Sequence, residues 1–243
     1  MDRMIYLAMS GAKHVMHRQE SVANNLANAN TPGYRAETLA FRGVPTDRDA
    51  RVYAIESSVG ADLAAGPVQQ TGRALDVAPQ GGAWLAVQAT DGSEAYTRNG
   101  NLQVGPNGTL QTAGGAQVLG DGGPIAVPDG AALSISADGT ISAAQPGQSR
   151  ATVALGRLKL VTPAERELSR GDDGLFRAAG GEALAADPAA RVVSGALEGS
   201  NVNVVDAMVG MISAARQFEM HMKLLQTAQE DARAASQLLN VGG

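Results

Sequence analysis

Ile5, Ala8, Ala12, Val15, Gln19, Val22 and Leu26 recur at alternating steps of three and four. That spacing lines one face of an α-helix with a heptad seam. The pattern predicts a helix over residues 2–28 with one polar seam member. Met9, Met16 and Ala23 form a second stripe beside the seam, while Lys13, His14, His17, Arg18 and Glu20 lie off it. Such a helix spans roughly 40 Å. Gly11 in its middle costs about 1 kcal/mol relative to Ala, and a close helix contact would account for it. At the other end of the chain, Val204, Met208, Met211, Ala215, Phe218, Met222, Leu225, Gln229, Ala232, Ser236 and Leu239 keep the same alternation across residues 201–240. About five heptads exceed what a sustained seam requires. Asn203, with Asp206 three residues later, is placed to cap this helix. Val205, Val209 and Ile212 add a flanking apolar stripe whose continuation, Arg216, Glu219, Lys223 and Gln226, is polar. The first third is therefore expected to be buried on a wide face and the rest on a narrow one, over a length of roughly 55–60 Å.

Between the helices the period changes. Short β-prone runs, Trp84–Val87, Leu102–Val104, Gln117–Leu119, Leu133–Ile135 and Leu158–Val161, are separated by Asx-Gly pairs at 91–92, 99–100, 107–108, 121–122, 129–130, 138–139 and 173–174. Asx-Gly supplies the positive φ that tight hairpins need, so the middle reads as short antiparallel strands. The expected fold is α+β: N- and C-terminal helices paired as a coiled coil, with an all-β domain inserted between them. The boundaries fall at 1–34 and 200–243 for the helical part and 35–199 for the β-rich part, with an extended connector, containing some strand, at about 35–74. Two helices alone leave apolar stripes uncovered, and a second copy of the chain is the simplest source of cover.

Composition narrows the function classes. The 243 residues include no cysteine, so disulfides, thiolate metal sites and a thiol nucleophile are excluded. Net charge is −5 with mixed signs and no basic block, which speaks against a nucleic-acid or anionic-lipid surface. No run approaches a membrane span, so an integral membrane protein is not expected. The apolar run Met4–Met9 is short for a cleavable signal.

Candidate chemistry is sparse. His14, His17 and Glu20 share a helix face at metal-ligand spacing, but a zinc site needs further ligands, and a solvated face is the plainer reading. The glycine-rich stretch 114–123 lacks a Walker lysine and Rossmann spacing. No nucleophile-elbow motif is present. Glu165, Glu167, Asp172 and Asp173 lie in a turn-like stretch rather than a cleft. No catalytic residue, metal site, cofactor or small-molecule substrate is expected. The corner at residues 24–33 is more informative. Thr31-Pro32-Gly33 sets a turn. An ordinary helix stop uses one or two asparagines, whereas Asn24, Asn25, Asn28 and Asn30 offer four in seven residues. The extra amides are expected to bond to another chain.

Ser10-Gly11 and the run Ala23–Tyr34, ANNLANANTPGY, resemble the N-terminal signature of bacterial flagellar rod and hook proteins. Gly195–Val202, Met208–Ile212 and Arg216–Glu219 resemble that family's C-terminal block, and Thr71–Ala78 with Tyr96–Leu102 resemble the β domain of its longer members. The start, Met1–Tyr6 with Ala8–Ala12, looks most like the proximal rod member, with the distal rod member as the competitor. Gln80–Leu85 departs from the aromatic pair usual in the family at that place.

The resemblance implies a structural subunit, exported unfolded through the flagellar secretion apparatus without a cleaved signal. It implies assembly in the periplasmic basal body as a helical tube with copies of itself and other rod proteins, which carries torque from motor to hook. The terminal helices would line the inner layer of the tube. Ile5, Ala8, Ala12, Val15, Val22 and Leu26, with Val204, Met208, Met211, Ala215, Phe218, Met222 and Leu225, would form the assembly interface. Asn24, Asn25, Asn28, Asn30, Thr31, Pro32 and Gly33 would form an inter-subunit corner. Helix ends that order only on assembly would suit export. Asp at Met211, Phe218 or Leu225 is expected to abolish rod incorporation. Two other classes remain open: a fibre or adhesin module with a coiled-coil stalk and β head, and a wall hydrolase, which requires a carboxylate or metal cleft in the β domain.

Overall fold

The computed structural model describes residues 2–45, 52–144 and 152–240. Two helices bracket the strands: α1, Asp2–Ala27, and α2, Val204–Asn240. The strands in chain order are β1 Glu37–Pro45, β2 Val52–Ala61, β3 Val68–Gln70, β4 Val77–Pro79, β5 Trp84–Gln88, β6 Glu94–Thr97, β7 Leu102–Val104, β8 Leu110–Thr112 and β9 Gln117–Gly120. They continue as β10 Gly123–Pro124, β11 Ala132–Ile135, β12 Thr140–Ala144, β13 Thr152–Arg157, β14 Leu160–Val161, β15 Leu168–Arg170, β16 Phe176–Ala178, β17 Val192–Ser194 and β18 Ala196–Glu198. The architecture is α+β, with a large β region between the terminal helices. The chain divides into two compact units: Met1–Ala29, Glu37–Gly60 and Val202–Gly243 make one, and Asn30–Ala36 with Ala61–Asn201 make the other.

In the first unit α1 and α2 run antiparallel, Gly11 facing His221 and Gly210 facing Val22. The unit also holds the two-stranded pair β1–β2. The region read from sequence as an extended connector thus carries two strands of nine and ten residues. Neither contains an Asx-Gly pair, so no turn signal fixed their bounds, although some strand was expected in this stretch.

The second unit is built on β5. A sheet runs in the order β15-β16-β6-β5-β9-β8-β7, with β10 added on β9 and β14 on β5. The sheet β11-β12-β13 and the pairs β17–β4 and β18–β3 complete it. Strand β5 is apolar on both faces because both are covered. Leu85 and Val87 join a core with Val77, Leu102, Leu110, Val118, Ile141, Leu158 and Leu160, whereas Trp84 and Ala86 join a second cluster with Tyr96, Val161 and Phe176. Each large side chain fully buried there stabilises the fold by about 1.5–3 kcal/mol. Trp84 packs on Phe176 with ring centroids 4.7 Å apart. A strand distant in sequence thus supplies the aromatic neighbour of Trp84.

The Asx-Gly pairs act mainly as read. Gly92, Gly108, Gly130, Gly139 and Gly174 all adopt positive φ, while Gly100 and Gly122 do not. Gly100 is glycine for another reason: a Cβ there would run into the Val77 carbonyl oxygen, in a place where the Val77 amide bonds the Gly100 carbonyl. Asp121-Gly122 spans the tight connection between β9 and β10, with Gly120 opposite Gly123.

Candidate assembly surface

Helix α1 is positioned by its seam. Ala8, Ala12 and Val15 are buried, and Ile5, Gln19, Val22 and Leu26 are half-buried. The second stripe, Met9, Met16 and Ala23, faces outward with Tyr6. Gly11 has its contact: a Cβ there would strike the imidazole of His221, so glycine opens a notch for that ring.

On α2 the seam read from sequence divides. Met211, Phe218 and Leu225 are half-buried, whereas Val204, Met208, Ala215, Met222 and Gln229 are exposed. The side chains of Ala232, Ser236 and Leu239 lie outside the described residues. The less exposed face is completed instead by Ala207, Gly210, Ala214, His221 and Ala228. The physical reason is size. Small side chains let two backbones approach, and a hydrophobic-periodicity reading favours the bulkier neighbours one position away. The wide apolar face expected for the first third of α2 is not covered within the chain: Val205, Val209 and Ile212 are 67%, 60% and 56% exposed. The helix start is capped as read, with Asn203 Oδ1 accepting from the Val205 and Asp206 amides at 3.0 and 3.4 Å.

The asparagine corner makes several bonds within the chain. Asn25 Nδ2 donates to the Glu37 carbonyl at 3.0 Å, and Asn25 Oδ1 accepts from the Glu37 amide at 2.7 Å, so the amide mimics a β-bridge and fixes the start of β1. Asn24 Nδ2 donates to Glu37 Oε1, and Asn28 Nδ2 donates to the Asn24 carbonyl and to Asn24 Oδ1. Asn30 and the Thr31-Pro32-Gly33 turn belong to the second unit. Gly33 takes φ +70° with no room for a Cβ against the Arg98–Asn99 peptide, and its amide donates to the Glu198 carbonyl at 2.8 Å.

The next residues reveal a cluster that the sequence reading missed. Arg35 Nη2 donates to Glu198 Oε1 at 2.7 Å, Arg98 Nε donates to Glu198 Oε2 at 2.7 Å, and the Gly66 amide donates to Glu198 Oε1 at 2.9 Å. All three charged residues are buried. Arg98 also donates to the carbonyls of Pro79, Gly81 and Ala83. The Trp84 ring lies 5.7 Å from the Arg35 guanidinium and 5.9 Å from that of Arg98. Burial lowers the Arg98 pKa, and the Glu198 carboxylate offsets part of that effect. One carboxylate thus pins segments 163 residues apart in the chain. The available signal was three single charges inside glycine-rich or apolar blocks: Tyr34-Arg35, Thr97-Arg98-Asn99 and Leu197-Glu198-Gly199.

The positions weighed for chemistry have ordinary partners. His17 Nδ1 lies 3.4 Å from Glu20 Oε2, and His14 Nε2 lies 3.4 Å from Ser10 Oγ. Among the described residues no group of three or more His, Asp or Glu is placed to hold a metal ion. Asp173 accepts two hydrogen bonds from Arg177, which hold its pKa below the usual carboxylate value. No helix is long and apolar enough to cross a membrane among the described residues.

Three family models match the chain in order: flagella basal body rod protein over residues 5–35, the flagellar hook protein FlgE/F/G D1 domain over 78–143, and the flagellar basal body rod FlgEFG protein C-terminal over 193–238. The flagellar basal-body rod proteins FlgF of Salmonella typhimurium and Escherichia coli are each 51% identical to it, covering 99% of this chain and all of theirs. A flagellar basal-body rod protein FlgG, from Borreliella burgdorferi, is 30% identical over 98% of this chain and 99% of its own. With three blocks in order and half its residues shared from end to end, this chain belongs to the flagellar basal-body rod protein family.

Proposed function

We propose that this chain is a structural subunit of the bacterial flagellar rod, built by its terminal helices into a helical tube that carries torque from motor to hook. The observation that carries the reading is the apolar surface left open on both helices. Val204, Val205, Met208, Val209 and Ile212 of α2, and Tyr6, Met9 and Met16 of α1, all face solvent in the single chain. Apolar side chains in such number at a helix surface call for a partner. Copies of the chain and other rod proteins provide one. The α1–α2 pair then acts as a coiled-coil unit of the inner layer. The half-buried Met211, Phe218 and Leu225 hold the pair together, and Val204, Met208, Ala215 and Met222 face the neighbours. The corner at Asn24, Asn25, Asn28, Asn30, Thr31, Pro32 and Gly33 shapes the exit from α1 and borders the next subunit. Identity of 51% to FlgF proteins against 30% to an FlgG protein favours the proximal over the distal rod. Export through the flagellar secretion apparatus delivers the chain to the basal body. The work is structural rather than enzymatic.

The absence of cysteine makes a direct test available. With Val209→Cys as the only thiol, a maleimide reagent is expected to label the free subunit readily and to label intact basal bodies weakly. Equal labelling in both states would contradict the reading.

A further inference from the structure

The sulfur in this chain is confined to its two terminal segments. All eight methionines, at positions 1, 4, 9, 16, 208, 211, 220 and 222, fall in the terminal segments, with none in residues 17–207 and no cysteine anywhere. Among the methionines whose side chains are described, five are open to solvent in the single chain: Met9 58%, Met16 48%, Met208 51%, Met220 57% and Met222 40%. Met211 is half-buried. The β domain, by contrast, builds its core from Val, Leu, Ile, Ala, Trp, Tyr and Phe.

We propose that Met9, Met16, Met208, Met220 and Met222 are peroxide-oxidation sites of the free subunit, and that their conversion to sulfoxides blocks its entry into an assembly. The thioether sulfur attacks hydrogen peroxide, the O–O bond breaks, one oxygen is transferred to sulfur, and the second leaves as water. One thioether and one peroxide thus give one sulfoxide and one water. Sulfur is oxidised by two electrons and the peroxide is reduced by two. Exposure sets susceptibility, and the product replaces a flexible apolar side chain with a polar, chiral one that disrupts methionine-rich contacts. A sulfoxide carried into a covered apolar face lacks the donors it would find in water. Once the subunit is built in, the same sulfurs are covered, so the sensitivity belongs to the interval between synthesis and assembly. The β domain has no sulfur to oxidise, so the damage is local.

The second half of this inference rests on the assembly reading, and the experiment separates the two. Full-length protein is treated with dilute hydrogen peroxide, mapped by peptide mass spectrometry, and tested for co-assembly with partner rod proteins. Untreated protein and a variant carrying Leu at all five positions serve alongside. Sulfoxide is expected at the five exposed positions at least several-fold faster than at Met211. Assembly is expected to be lost on oxidation and restored by methionine sulfoxide reductase, and the Leu variant is expected to assemble with or without peroxide. If untreated protein and the Leu variant both fail to assemble, the assembly reading is wrong. If untreated protein assembles and fully oxidised protein assembles equally well, or if Met211 oxidises as fast as the five, this inference is overturned.

Discussion

At the scale of single residues, Gly11 and His221 show how a local cost is met by tertiary packing. Alanine at position 11 recovers about 1 kcal/mol of helix propensity, but its Cβ must displace the His221 ring, and overpacking typically costs about 1–3 kcal/mol. Gly11→Ala is therefore expected to destabilise the helix unit in the natural background. In a His221→Ala background only the propensity gain remains, and the sign reverses. A double-mutant cycle followed by far-ultraviolet circular dichroism checks this. Glu198 poses the opposite problem. Glu198→Ala leaves two buried guanidinium groups without a counter-charge, and breaking a buried ion pair costs about 3–5 kcal/mol. Urea unfolding of the β domain is expected to show a loss of that order. The hairpin carboxylates contribute to acid sensitivity. Hydrogen bonds from Thr140 hold Asp138 below its ordinary 3.8, and bonds from Ser93 do the same for Asp91. A carboxylate with a depressed folded pKa adds stability above its unfolded value and loses it as pH falls through the folded value. The β domain should therefore weaken below about pH 4, and Asp138→Asn with Asp91→Asn should flatten that decline in denaturant titrations at successive pH values.

At the scale of elements, what the sequence disclosed depended on what each contact was made of. The α1 seam was legible because apolar Ala8, Ala12 and Val15 make its buried contacts. The face of α2 that meets α1 was legible only in part: the seam members Met211, Phe218 and Leu225 are half-buried, but Ala207, Gly210, Ala214 and His221 carry little hydrophobic signal, whereas Val205, Val209 and Ile212 carry much of it on the open side. Periodicity registers apolar residues whichever side of the helix they lie on, so by itself it does not separate the face packed within the chain from an open one. The hairpins were legible where Asx-Gly marked a turn; for β1 and β2 some strand was expected but not its bounds, because nothing comparable marks them. The buried Arg35–Glu198–Arg98 cluster was out of reach for a different reason: its members come together only through the fold. This division of α2 into two faces has a consequence. Val209→Asp is expected to change the stability of the isolated protein by no more than about 0.5 kcal/mol, as an exposed substitution does. Ala214→Asp puts a carboxylate into a buried position and should melt the helix unit. Thermal unfolding of the two variants distinguishes them.

At the scale of the whole molecule, the two units do different work. The β domain is self-sufficient: it has apolar cores on both faces of β5 and a buried ionic cluster tying together residues from the early, middle and late parts of the chain. The helical unit leaves apolar residues of both helices exposed, and under the proposed assembly sister subunits cover them. Torque would then pass through many repeated apolar contacts, none of which must be strong alone. Electron microscopy of basal bodies from cells whose only copy carries Val209→Asp and Ile212→Asp tests this most directly. Rods that stop short near the membrane ring are expected, although the purified variant keeps a folded β domain and paired helices. Full-length rods in swimming cells would contradict it.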